Sequence, residues 1–254
     1  DQVGPSLLSI RGGSRRYRYK ALLARLPAAE RAQVWANLEH TTSFPLFAKL
    51  AQKHGQTDYL LEHARFESFL FVPRKAGRKF TMGEGSSINE MTLTEAIAMQ
   101  ATTPTQLQWA LALEEAPSHF TEGGHTIRIA GKDLKILPNH PVETIDYFDT
   151  DRYEAKLTEL DRKFNYRKPY ETEFEEAARA GAKTTYVYGD DEKMFKKHGW
   201  PYENSGNKTH PVASLRPNEA GLFDMAGNVS QWVRDWYASI PSGKRVVPPR
   251  TSPY

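Results

Sequence analysis

The chain has 254 residues, 39% hydrophobic and 26% charged, a composition that excludes a disordered chain and can bury a sizeable core. Its formal charge of +3 is too small for a general polyanion binder. No cysteine occurs, which excludes disulfides, thiolate metal sites and cysteine nucleophiles within these residues, and no window reaches the roughly 18 apolar residues of a membrane-spanning helix.

The chain opens Asp1-Gln2-Val3 without Met. Removal of an upstream segment, by a signal peptidase or by truncation, is therefore expected, and a periplasmic or secreted location is favoured over a cytoplasmic one. The densest basic run lies between Arg11 and Arg25, where Arg15, Arg16, Arg18 and Lys20 alternate with Tyr17 and Tyr19. Such a run suits phosphate or an acidic membrane face. With so little net charge, a solvated face is the favoured reading and no nucleic-acid partner is expected.

Residues 15 to 67 read as a helical subdomain or insertion. Apolar residues recur at helical spacing from Ala21 to Leu38, split by Pro27, and further helices are predicted over Phe44 to His54 and Asp58 to Glu67. At Ser68 the texture changes. Ser68 to Val72 and Lys79 to Met82 read as strands, and short strands then alternate with Gly, Pro and Asn turns to the C-terminus. Helices are predicted over Thr103 to Glu114, with Pro104 in the first turn, over Tyr170 to Ala180, and, shorter, over Asp149 to Leu160.

Four blocks stand in a recognisable order. The first runs Phe80-Thr81-Met82-Gly83, then Glu90-Met91-Thr92-Leu93, then Thr103-Pro104-Thr105-Gln106-Leu107-Gln108-Trp109. The second is Asn139-His140-Pro141-Val142. The third extends from Tyr166-Arg167-Lys168-Pro169 through Glu171, Glu173, Phe174 and Arg179 to Gly181. The fourth and richest includes Asn204-Ser205-Gly206, Thr209-His210-Pro211-Val212, Pro217-Asn218, and the stretch from Gly221-Leu222-Phe223-Asp224 through Gly227-Asn228 and Gln231-Trp232 to Asp235-Trp236-Tyr237. Together they resemble the formylglycine-generating-enzyme, or sulfatase-modifying-factor, family over residues 68 to 254. The resemblance implies an α+β, C-type-lectin-like fold, loop-rich with short strands and few helices, plus the N-terminal helical insertion. In the third block the family pattern is Y-R-L-P-T-E-A-E-W, so Phe174 stands where tryptophan is usual.

The resemblance also implies roles. Family members bind copper through two cysteines near the C-terminus and convert a substrate cysteine to formylglycine. Soft Cu(I) needs thiolates, so no copper is expected here and formylglycine generation is excluded within this chain. Calcium is a family ligand of the fourth block. The matching positions are Asp224 and Gln231 by side chain and Gly227 and Val229 by carbonyl, and Gln231 replaces the frequent Glu with a neutral oxygen, so a weak site or an internally bonded one is expected. Trp109, Arg179, Asn228, Trp232, Asp235 and Trp236 are expected to be structural, with Trp232, Trp236 and Tyr237 as buried anchors. Glu171, Glu173, Glu175 and Glu176 read as helix-capping and surface ion-pairing acids. Asp1 to Ser14 resembles the family's late D-P-x-G-P…R-G-G-S segment. Circular permutation, with residues 1 to 14 supplying a late core strand, competes with a chance match.

Two functions stay open. One is a non-catalytic module binding a protein or peptide ligand, such as an envelope assembly component or a secreted effector that it neutralises. The other is a cysteine-independent enzyme similar to the pyoverdine-maturation protein, an oxidoreductase or tautomerase acting on a peptide-derived substrate. His63 and Glu67 lack a second histidine at metal spacing, and His140 and His210, each before proline, read as turn residues.

Overall fold

The computed structural model describes residues 43–83, 88–184, 186 and 188–236. Residues 1–14, the helix expected over Ala21 to Leu38, the basic run at Arg15, Arg16, Arg18 and Lys20, and Tyr237 lie outside the described residues.

Two helices open it, α1 (Phe44–Lys53) and α2 (Thr57–His63). A 3-10 turn, Phe66–Phe69, then leads into β1 (Phe71–Arg74). The strand expected from Ser68 therefore starts later. Ser68 Oγ donates to the Arg65 carbonyl at 2.6 Å, and this side-chain bond holds the backbone in a turn where composition alone suggests extension. β2 (Lys79–Met82), β3 (Asn89–Thr92) and β4 (Ile97–Gln100) follow. β1 pairs with β4 and β2 with β3, both antiparallel, and β5 (His125–Ile129) pairs with β6 (Lys132–Ile136), giving three two-stranded sheets among the described residues.

α3 (Gln106–Leu113) is the central element. Every residue from Gln106 to Ala112 is buried. Thr105 caps it, its hydroxyl accepting from Gln108 N while Gln108 Oε1 accepts from Thr105 N, a reciprocal box that satisfies two orphan donors. The glutamines then staple the surroundings: Gln108 Nε2 reaches the Ser68 carbonyl at 2.9 Å, and Gln106 Oε1 accepts from Leu137 N at 2.8 Å. Around α3 gather Phe44, Phe47, Leu60, Ile127, Ile129, Ile136 and Leu157 in one hydrophobic core.

α4 (Tyr147–Asp161) is, at 15 residues, the longest described helix. It begins earlier than expected because Asp146 and Asp149 form a reciprocal capping box. Its Tyr153 stacks on Trp109, centroids 4.9 Å apart. α5 (Glu171–Arg179) carries the acids expected at the surface. Two are buried instead: Glu176 is held by Arg74 at 2.8 and 2.6 Å and by Arg78 at 2.6 Å, and Glu173 by Arg167 in two bonds of 2.7 Å. Bidentate guanidinium pairing lets these carboxylates leave water. Arg179 does take an i,i+4 partner, Glu175, at 2.6 Å. Two short helices that the pattern did not reveal, α6 (Glu192–His198) and α7 (Tyr202–Ser205), complete the described elements.

Candidate functional site

A cleft of about 1510 Å³ is bounded by β4, by α4 and the segment after it, and by the loop from Phe223 to Trp232. The loop's shape follows from its sequence. Gly227 has φ +127°, and a Cβ there would run into the Trp200 carbonyl. Gly199 packs equally tightly on the Ala226 carbonyl, so the two strands of chain approach closer than any side chain permits. Asn228 locks them: its N donates to Trp200 O at 2.9 Å, and its amide pairs both ways with the His210 backbone at 3.0 Å.

Polar groups on the cleft wall are mostly committed. Lys168, 6% exposed, donates to Thr150 Oγ1 at 2.8 Å and Asp151, lies 3.3 Å from Glu154, and sits 4.1 Å from the centroid of the Tyr147 ring. Burial raises the Glu154 carboxyl above its usual range, and Lys168 opposes that rise. Glu143 accepts from Phe120 N and Thr144 Oγ1. Among the described residues no histidine lines the cleft. His140 lies behind it, its Nδ1 2.9 Å from Thr209 Oγ1; burial, then His210 and Lys208, push it down to about 4. His210 stacks on Trp200 at 3.7 Å and reaches the Ser205 carbonyl. Both histidines thus serve the turns.

The four calcium positions share one loop and all line the cleft. Asp224 Oδ2 accepts from Ala213 N at 2.9 Å, while its Oδ1 is buried without a partner, and burial raises its carboxyl. Gln231 turns its Nε2 towards the Asp224 carbonyl, 3.4 Å away. The donor set therefore offers calcium one charged side chain and two carbonyls, with Gln231 engaged inside the loop, against the six to eight oxygens the ion prefers. Among the described residues no three His, Cys, Asp or Glu side chains gather as a metal centre.

The tryptophans depart from expectation. Trp109 is 1% exposed, as a structural anchor should be, but Trp232 is 49% and Trp236 64% exposed. Trp232 is tethered through its indole N–H, bonded to Ile145 O at 3.2 Å. Beyond it the chain alternates inward and outward residues, which turns Trp232 and Trp236 to the same outer side. Asp235 faces in and accepts from Glu171 N at 2.8 Å, capping α5 from a distance. Sequence reasoning missed Lys168 and Glu154. The signal for Lys168 was its departure from leucine in the third block; Glu154 carried none.

Comparison with known proteins fits this architecture. The formylglycine-generating enzyme of Streptomyces coelicolor is 35% identical over 130 residues, 46% of this chain and 39% of that protein. The chaperone protein LppX of Paenibacillus barcinonensis is 32% identical over 168 residues, 53% of this chain and 60% of that one. Among solved structures, PvdO from Pseudomonas aeruginosa superposes with a TM-score of 0.53 at 28% identity, over 69% of this chain and 76% of that one. The chain spans less than half the length of the formylglycine-generating enzymes that it matches in Streptomyces and Mycobacterium. The sulfatase-modifying factor enzyme 1-like domain model matches residues 63–249, and the chain belongs to that family.

Proposed function

We propose that the domain is a non-catalytic member of its family whose cleft binds a peptide or an extended segment of a protein. The observation that carries this reading is the cleft's chemistry. It is peptide-sized, Phe164, Tyr202 and Trp232 stand exposed on it, and its buried Lys168 and Glu173 are already paired, with Asp151 and with Arg167. Aromatic rings supply contact area at low entropic cost, whereas acid–base work needs a free group of shifted pKa. That LppX is a chaperone protein by name supports a binding role within the family.

Selection of a random displayed peptide library on the immobilised domain tests it. Enriched peptides should bind at least tenfold more weakly to a Phe164→Ala/Tyr202→Ala double variant with an unchanged melting temperature. Absence of enrichment over the bare support would overturn the reading. In parallel, a sulfatase peptide incubated with the domain, copper and oxygen should yield no aldehyde.

Glu154 favours a second reading. A carboxyl raised by burial, beside a lysine in a cleft, is what a cysteine-independent enzyme on a peptide-derived chromophore needs. A spectral change in such a chromophore that Glu154→Gln abolishes would establish it; an unchanged spectrum with the native domain would dismiss it.

Calcium belongs to the proposed properties as well. With one charged donor at Asp224 the affinity should be weak, and isothermal titration with calcium against an Asp224→Asn variant measures it.

A further inference from the structure

The rim of the cleft carries a cation that nothing among the described residues neutralises. Between Gln231 and Trp236 exposure alternates, so Trp232, Arg234 and Trp236 face outward. The Arg234 backbone N–H bonds Pro169 O at 2.8 Å, which fixes the segment, and the guanidinium lies 5.5 Å from the Tyr170 centroid. Among the described residues that ring contact is its one side-chain interaction, and it makes no ion pair there. Nearby carboxylates are engaged elsewhere: Asp235 with Glu171 N, Asp146 and Asp149 with each other's backbone, Glu173 with Arg167. Beside it, Tyr147 links an aromatic cluster, with ring centroids 5.9 Å from Phe148, 6.1 Å from Trp232 and 6.4 Å from Trp236. Phe148 is 71% exposed.

We propose that this face binds an extended acidic peptide segment, whose apolar side chains lie on Trp232, Trp236 and Phe148 while a carboxylate meets the Arg234 guanidinium. Charge complementarity selects the occupant. A neutral apolar partner would desolvate the guanidinium without compensation, and a basic partner would be repelled. The planar fork matches a carboxylate in two parallel bonds, and its place over the Tyr170 ring pre-organises it. Exposed rings in such number are uncommon on a surface without a binding role. Because Trp232 also lines the cleft, the face continues it, and the inference rests on the cleft being a peptide site.

The test uses two short acetylated, fluorescein-labelled peptides, one alternating leucine with glutamate and the other leucine with glutamine, read by fluorescence anisotropy at low salt. The glutamate peptide should bind roughly five- to tenfold more tightly. Arg234→Gln should erase that preference without weakening the glutamine peptide, and Trp236→Ala should weaken both. Equal affinities, with both lost in the Phe164→Ala/Tyr202→Ala variant, would overturn the role of Arg234 and leave the cleft reading intact. If the library selects peptides whose binding ignores both Arg234 and Trp236, this face is likewise refuted alone; failure of the library and both peptides refutes both. Sedimentation of a wild-type dimer that Trp236→Ala dissociates would also overturn the proposal, because a second copy would then occupy the face.

Discussion

Glu176 is an acid at 2% exposure gripped by two arginines. Burial alone would raise its carboxyl; the bonds from Arg74 and Arg78 outweigh burial and bring it below the usual 4.5. A lowered folded-state value means that this stabilisation is complete above the unfolded value and vanishes as pH falls through the folded one. Glu176→Gln should cost about 3 kcal/mol at neutral pH, since it leaves two guanidinium groups facing a neutral amide. Thermal melts across pH check the sign: the gap between wild type and variant should be widest near neutrality and close below about pH 4.5. The sequence told that Glu176 sits in a helix but not that it is buried, because its arginine partners lie 102 and 98 residues away. Lys168 was legible only as an oddity against the family pattern, and its pairing with Tyr147, Asp151 and Glu154 needed coordinates.

Elements were legible where local chemistry sets them. α5 follows its acidic first turn, whereas α3 begins at Gln106 behind the Thr105 cap and not at Thr103, where Pro104 suggested a first turn. α6 and α7 were missed because they are too short to show a period, and each depends on a single start signal, Asp191 and Pro201. The end of α5 is held from outside. Asn218 donates to the Ala177 and Ala178 carbonyls at 2.8 and 2.9 Å and accepts from Ala220 N and Leu222 N, both at 3.0 Å. Asn218→Ala should therefore destabilise by about 2–4 kcal/mol, since it strands several partly buried backbone groups at once. Hydrogen exchange checks the location: amides around Ala177 to Ala182 and Gly221 to Phe223 should lose protection first.

At the scale of the whole molecule, the four sequence blocks indicated family and fold, because they encode turns and caps that depend on near neighbours. The cleft was not legible. Its walls join residues from β4 to the loop at Trp232, and whether a tryptophan in a motif is covered depends on chain that packs over it, which spacing does not encode. The N-terminal helices add a further test. Phe44, Phe47 and Leu60 share one core with Trp109 and Ile129, so residues 44–63 should unfold together with the rest. Phe47→Ala should cost about 3–5 kcal/mol and shift a single calorimetric transition. Two separate transitions, with only one moved, would show that those helices form an independent unit.

Trp232 and Trp236 also give the protein an optical property. The chain has five tryptophans, and these two indoles are bathed in water at 49% and 64% exposure while Trp109 at 1% is dry. Their emission should be red-shifted and open to iodide quenching. Any molecule settling on the rim would blue-shift the spectrum and shield the quenchable fraction, so occupancy can be followed in unlabelled protein by its own light.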